Sequence, residues 1–337
     1  MPALNHPAVS PLLSVAPMMA WTDRHCRYLH RICAPRATVF TEMITTGALL
    51  HGPRDRLLAF DPAEHPIAVQ LGGSDPADFA KCGEIVEAAG FDELNINVGC
   101  PSERVQQGRF GACLMREPGL VADLVRAARS STGIPVTVKC RLGVDEADSQ
   151  PLLEAFVATV AAAGCSRFYL HARKALLKGV SPAQNRHIPP LQYERVHALK
   201  ARFPELGIIL NGGIDSLEVA TAQLPGTDGL MIGRQAYHQP LFLNAVHQML
   251  FGGECLDPWQ LLSAYLPYIE SEVARGTPLH SMTRHCLGLF AGRPGARRYR
   301  QVLSDTHTLR RNDPDLVREA AAMVRKPQPP LKAAASG

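Results

Sequence analysis

The chain repeats one pattern: a short run of aliphatic and β-branched residues, followed by a longer stretch in which apolar positions return every three or four residues. Eight such runs stand out, at Leu13–Met18, Thr38–Met43, Ile67–Gly72, Glu93–Val98, Val136–Leu142, Arg167–His171, Ile208–Asn211 and Gly229–Ile232. Their composition predicts strands, and their nearly continuous apolar character predicts strands covered on both faces. Between them, Pro76–Ala89, Leu120–Ser130, Leu152–Ala163, Tyr193–Phe203 and Ser216–Gln223 carry the helical period and mostly stop at Gly or Pro. Eight strands alternating with helices predict an α/β fold, a TIM (β/α)8 barrel of parallel strands.

The alternation ends near Phe251, where Gly252 and Gly253 punctuate the chain before Pro258 opens a different pattern. Trp259–Ala274, His280–Phe290, Gly295–Leu303 and Asp315–Val324 read as helices with no strand among them, and Asn312-Asp313-Pro314 reads as a stop and cap for the last. The expected organisation is a catalytic barrel over residues 1–251, a small all-helical C-terminal domain over 252–325, and a disordered Pro- and Ala-rich tail over 326–337. With 337 residues the chain is long enough for both units, since a barrel takes about 250.

Composition narrows the class. At 46% hydrophobic and 20% charged residues, the chain has neither a disordered nor a fibrous signature. Residues 1–20 hold no Lys or Arg and are interrupted by four prolines, unlike a signal peptide, and no run approaches the ~20 apolar residues of a membrane span. A cytoplasmic protein is expected. Nine cysteines without a CxxC pair argue against a structural zinc or a disulfide framework, so no metal is expected. The net charge of +4 is modest but uneven: residues 275–311 carry eight arginines against the single acid Asp305. That asymmetry is what a phosphate-facing surface produces, and a merely solvated helix face is the plainer alternative.

In a barrel the active site is built at the C-terminal ends of the strands. The unusual residues lie there: Ala16-Pro17-Met18-Met19, Gln70-Leu71-Gly72-Gly73, Asn95 to Pro101, Lys139-Cys140-Arg141, His171-Ala172-Arg173, Asn211-Gly212-Gly213 and Gly233-Arg234. Glycines after the seventh and eighth strands let backbone N–H groups approach a phosphate, with Arg234 adding charge; tight turns alone would also use them. Alternation puts Lys139 inside the barrel with Thr137 and Arg141, either as a Schiff-base nucleophile, as a fixed cation beside a reduced flavin, or as one half of a salt bridge. His171 taken alone is compatible with a purely structural role. Its neighbour Arg173 opens a connection running to Pro190, far longer than the roughly 2–6 residues usual after a strand, which marks a functional loop. Cys100, between Gly99 and Pro101, sits on a loop where a free thiol, protonated at neutral pH, suits a proton donor. The glycines at 108 and 111 give that loop hinges.

In order and spacing, Ala16 to Met19 with Trp21-Thr22-Asp23, Asn95 to Pro101, Lys139 to Gly143, His171 to Ala175, Ser181-Pro182 with Asn185-Arg186, Asn211 to Ile214 and Ile232 to Arg234 resemble the tRNA-dihydrouridine synthases. The 173–190 loop and Gly295-Ala296-Arg297-Arg298 resemble the A subfamily, and the match covers roughly residues 12–305. The last helical segment does not match residue by residue. The resemblance implies a noncovalent FMN held by Pro17, Met18, Met19, Gln70, Lys139, His171, Asn211, Gly212, Gly213, Gly233 and Arg234, and NADPH as reductant. It further implies hydride transfer from flavin N5 to uracil C6, with the Cys100 thiol protonating C5 from the opposite face. Asn97 would hold the target base or its backbone, Arg186, Arg297 and Arg300 would grip tRNA, and the substrate would be uridine 20 or 20a of the D loop. No obligate protein partner is implied. An FMN barrel acting on a small molecule, a cofactor-free aldolase using Lys139 and a noncatalytic RNA-binding barrel are the competing readings.

Overall fold

The computed structural model describes residues 12–326. Eight parallel strands, β1 (Leu12–Val15), β2 (Val39–Thr45), β3 (Ile67–Gly72), β4 (Glu93–Val98), β5 (Val136–Arg141), β6 (Arg167–His171), β7 (Gly207–Asn211) and β8 (Gly229–Ile232), pair in the order 1-8-7-6-5-4-3-2. The ring closes between β1 and β2, where Ser14 bridges Thr38 and Val15 N–H donates to the Thr38 carbonyl at 3.0 Å. The expected TIM barrel is therefore present. The tail proposed for 326–337 lies, from 327 on, outside the described residues.

Alternation along each strand sorts the side chains. Val136, Val138 and Cys140 face the surrounding helices and join the main apolar core, whereas Thr137, Lys139 and Arg141 turn inward. A small apolar plug of Ala16, Phe40, Ala68, Tyr169, Ile209 and Met231 fills the barrel centre. Below it, at the N-terminal end, the Glu93 carboxylate accepts from Arg167 at 2.8 Å, Tyr169 at 3.1 Å and Thr137 at 2.6 Å. Polar side chains that complete helix N-termini set where the outer helices begin: Asp75 caps Pro76–Ala88, Ser149 caps Gln150–Ala162 and Ser216 caps Leu217–Gln223.

The Pro240–Phe251 helix ends at Gly252, whose φ of 72° reverses the chain. Asp257 and Gln260 then form a capping box that starts the Pro258–Ala274 helix. That helix lies on the Arg24–Cys33 helix after β1. Tyr265 donates to the His25 carbonyl at 2.9 Å, Tyr268 meets His25 Nδ1 at 2.7 Å, and the buried Glu272 pairs with Arg24. One expected helix is cut short: His280–Phe290 is helical only over His280–Thr283, followed by successive turns. Within those turns Gly288 packs against the chain after β8, where a Cβ would collide with the His238 carbonyl.

Candidate active site at the barrel mouth

Cys100 is held by its backbone, and its sulfur has one side-chain contact. Asn97, the last inward-facing residue of β4, accepts through Oδ1 from the N–H of Gly99 at 3.1 Å and of Cys100 at 3.0 Å. The Cys100 carbonyl accepts from Ala112 N–H at 2.9 Å. Gly111 is required at that point, since at φ 76° a Cβ would stand 2.6 Å from the same carbonyl. The sulfur itself reaches Ser102 Oγ at 3.5 Å. Six of the other cysteines are buried, and burial pushes the thiols of Cys82, Cys165 and Cys286 up to about 12; Cys100 is only half-buried.

Two side chains to which the sequence assigned no role tie this loop to the 173–190 loop. Arg141 Nε donates to the Gly99 carbonyl at 3.0 Å, while its Nη1 reaches the carbonyls of Lys174 at 3.1 Å and Asn185 at 2.9 Å. Gln106 Nε2 donates to the carbonyls of Pro101 and Leu177, both at 2.9 Å. The sequence offered a signal for Arg141, a cation inside a strand next to Lys139. For Gln106 it offered none, because its partner lies across a second loop.

The mouth is strongly cationic. Lys139 Nζ donates to Asn211 Oδ1 at 3.1 Å, and Asn211 Nδ2 donates to the Met231 carbonyl at 2.7 Å, so β5, β7 and β8 are joined beneath the opening. Burial, with Arg141 nearby, lowers the Lys139 pKa to about 8. Burial also lowers Arg141 to about 10, with Arg186 and Arg173 adding to the effect. His171 is pushed well below the usual histidine range by burial and then by Arg141, Lys139, Arg173 and Arg234, which makes it a neutral imidazole at pH 7. Arg173 and Arg186 each keep a buried Nε with no hydrogen-bond partner. Among the described residues, none of Lys139, Arg141, Arg173, Arg186 and Arg234 is ion-paired with a carboxylate. Arg234 instead meets His187 Nε2 and the Arg186 carbonyl.

The remaining candidate positions differ in what they offer. Gly212 and Gly213 adopt φ of 105° and 70°, and a Cβ would press on the His171 ring at the first and on the Leu191 side chain at the second. The protein's own packing thus already excludes a side chain at both positions. A Cβ on Gly233 would meet nothing within 4 Å, so the space above it is open to a ligand. Pro17, Met18 and Met19 form the turn after β1, with Met19 61% exposed and Trp21 stacked on Tyr237 at 4.5 Å. Gln70 lies deeper, 1% exposed, with its amide spent on Asn95 and Asn97. Arg297 and Arg300 stand apart, exposed on the Ala296–Ser304 helix. Unpaired cations, orphaned guanidinium N–H groups and an open glycine surface fit a phosphate-bearing ligand with ring carbonyls, as FMN is. Among the described residues, no group of three or more His, Cys, Asp or Glu could hold a metal ion, and no helix is long and apolar enough to cross a membrane.

Comparison with known proteins agrees with this geometry. The profile of the family described as Dihydrouridine synthase (Dus) matches residues 14–325. The tRNA-dihydrouridine(20/20a) synthase of Xanthomonas campestris is 54% identical over 293 residues, covering 87% of this chain and 88% of that protein. The protein of the same name from Escherichia coli K12 is 54% identical over 295 residues, covering 87% and 85%, and that of Pseudomonas syringae is 53% identical over 309 residues, covering 91% and 92%. Among solved structures, morphinone reductase superposes with a TM-score of 0.52 at 13% identity, over 76% of this chain and 94% of that one, a likeness of barrel fold alone. With its family profile matched over nearly the whole described chain, this protein belongs to the dihydrouridine synthase family.

Proposed function

We propose that the protein is an FMN-dependent, NADPH-driven tRNA-dihydrouridine synthase that reduces uridine 20 or 20a in the D loop. The observation that carries the reading is the half-buried Cys100 thiol, fixed by its own backbone at the rim of a cationic mouth that has no carboxylate partners among the described residues. Arg234 and the backbone at Gly212, Gly213 and Gly233 would hold the FMN phosphate. Pro17, Met18, Met19, Gln70, Lys139, His171 and Asn211 would hold the ring system. When bound, FMN supplies the hydride for C6 of the uracil. Cys100 gives its proton to C5 from the opposite face, and Lys139 balances negative charge beside it. A neutral His171 can donate one hydrogen bond without adding charge.

A uridine in a folded D loop must be extruded to reach the mouth, which costs a few kcal/mol. Phosphate contacts elsewhere offset that cost, and Arg186 with Arg297 and Arg300 on residues 252–325, read as a tRNA-binding domain, supply cations suited to them. Asn97, whose amide oxygen is already taken by two backbone N–H groups, can offer the base only an N–H. The lowered pKa of Lys139 would also suit a Schiff-base enzyme, but that chemistry leaves Cys100 and the cationic ring without a task. Mapping of dihydrouridine in tRNA from cells lacking this protein tests the reading. Loss at positions 20 and 20a, restored by the wild-type gene and not by Cys100→Ala, is expected; an unchanged map contradicts it.

A further inference from the structure

One continuous hydrogen-bonded line crosses the barrel interior from its floor to the Cys100 loop. Starting at the top, Cys100 N–H donates to Asn97 Oδ1 at 3.0 Å, and Asn97 Nδ2 donates to Gln70 Oε1 at 2.8 Å. Gln70 Nε2 donates to Asn95 Oδ1 at 2.8 Å, Asn95 Nδ2 donates to Thr137 Oγ1 at 2.8 Å, and Thr137 donates to Glu93 Oε1 at 2.6 Å. Every donor points toward the floor. The direction is fixed at both ends: a backbone N–H can only donate, and Glu93, whose other oxygen takes Arg167 and Tyr169, serves as the terminal acceptor. Hydrogen bonds aligned head to tail polarise one another and strengthen the line as a unit. Glu93, Asn95, Gln70 and Thr137 are all at most 3% exposed, so water does not compete along it.

We propose that Glu93, at the closed end of the barrel, is a positioning residue that acts through Thr137, Asn95 and Gln70 to fix the amide of Asn97 and the loop carrying Cys100. Because Asn97 Oδ1 accepts two N–H groups, Asn97 faces a substrate as a donor only. It matches a carbonyl oxygen of uracil and rejects the amino group that cytosine carries. A reversed line would turn Asn97 over, withdraw the acceptor from Gly99 and Cys100, and loosen the thiol.

The inference rests on the synthase reading above. Its test uses the full-length, flavin-loaded protein and follows two half-reactions separately. Thr137→Val keeps the shape and breaks the line, while Thr137→Ser keeps the hydroxyl. In Thr137→Val, reoxidation of the reduced flavin by unmodified tRNA is expected to slow about tenfold, the size of one buried polar group left unsatisfied. Reduction by NADPH stays within about twofold, and Thr137→Ser restores the tRNA step. In the same variant, alkylation of Cys100 by iodoacetamide, read at its own peptide by mass spectrometry, is expected to accelerate. If Thr137→Val cannot be loaded with flavin, Asn95→Leu, which is close in size and neither donates nor accepts, is read in the same way. Unchanged tRNA reoxidation with unchanged alkylation overturns the inference, and so does an equal fall of both half-reactions. Failure of the wild-type protein to be reoxidised by tRNA overturns the synthase reading instead.

Discussion

The two ends of the barrel treat buried charge in opposite ways. At the floor, Glu93 is matched by Arg167 and satisfied by Thr137 and Tyr169, so every strong charge there has its partner within the chain. At the mouth, Lys139, Arg141, Arg173 and Arg234 surround a neutral His171, Arg186 lies near Arg141 and Arg234, and among the described residues no carboxylate pairs with any of them. A protein holds partly desolvated cations together without anions when something else brings the negative charge. The floor is built to stand alone, and the mouth is built to be completed.

Substitutions can break or sharpen that contrast. Cys100→Ala changes no charge at either end and is expected to keep flavin while lowering dihydrouridine formation about 10²–10⁴-fold, the usual worth of a placed general acid. Single-turnover assay with unmodified tRNA reads it; full activity would remove the proton-donor role. Arg167→Met leaves the floor carboxylate buried without its cation, so a loss of about 3–5 kcal/mol is expected in denaturant unfolding. The companion change at the mouth, Arg234→Met, is expected to leave the stability of flavin-free protein nearly unaltered and to weaken flavin binding about tenfold or more. Equal stability losses in the two variants would erase the distinction.

Proton linkage separates the ends further. Burial depresses Lys139 from its ordinary 10.5 to about 8, so between those values the unfolded chain binds more protons and this group makes the flavin-free protein more stable as pH rises. An anionic partner raises the pKa again. Flavin affinity is therefore expected to be full below about pH 8 and to weaken as pH climbs through the raised value, a dependence that Lys139→Met abolishes; fluorescence titration of FMN checks both. On the helical region the effect is smaller. Changing Arg297 and Arg300 to Ala is expected to flatten the log–log salt dependence of tRNA binding by about 0.7 for each phosphate no longer neutralised, measured by filter binding across a salt series.

Much of the site was legible in the sequence because barrel strands alternate. Lys139 on the inner face with Thr137 and Arg141 follows from a period of two, and the length of the 173–190 connection marked a loop that the structure ties to the Cys100 loop through Arg141 and Gln106. Relations between strands were not legible. That Gln70 spends its amide on Asn95 and Asn97 depends on the register of β3 against β4, which no local pattern encodes. Gly212 and Gly213 carry a second demand that the sequence did not show: His171 and Leu191 lie where a Cβ would stand, an arrangement fixed by neighbouring segments. The helix expected over His280–Phe290 ends at Thr283, and the close approach of Gly288 to the His238 carbonyl, a contact between distant segments, is likewise invisible in the local pattern. Glu93 drew no reading of its own in the sequence, since its partner Arg167 lies two strands away and meets it only in the closed barrel.

The most direct measurement is anaerobic visible spectroscopy of the purified protein. A bound flavin bleached by NADPH, with its colour restored by unmodified tRNA and not by tRNA already carrying dihydrouridine, is the expected result. A colourless protein, or a reduced flavin that unmodified tRNA fails to reoxidise, would contradict the assignment of the mouth.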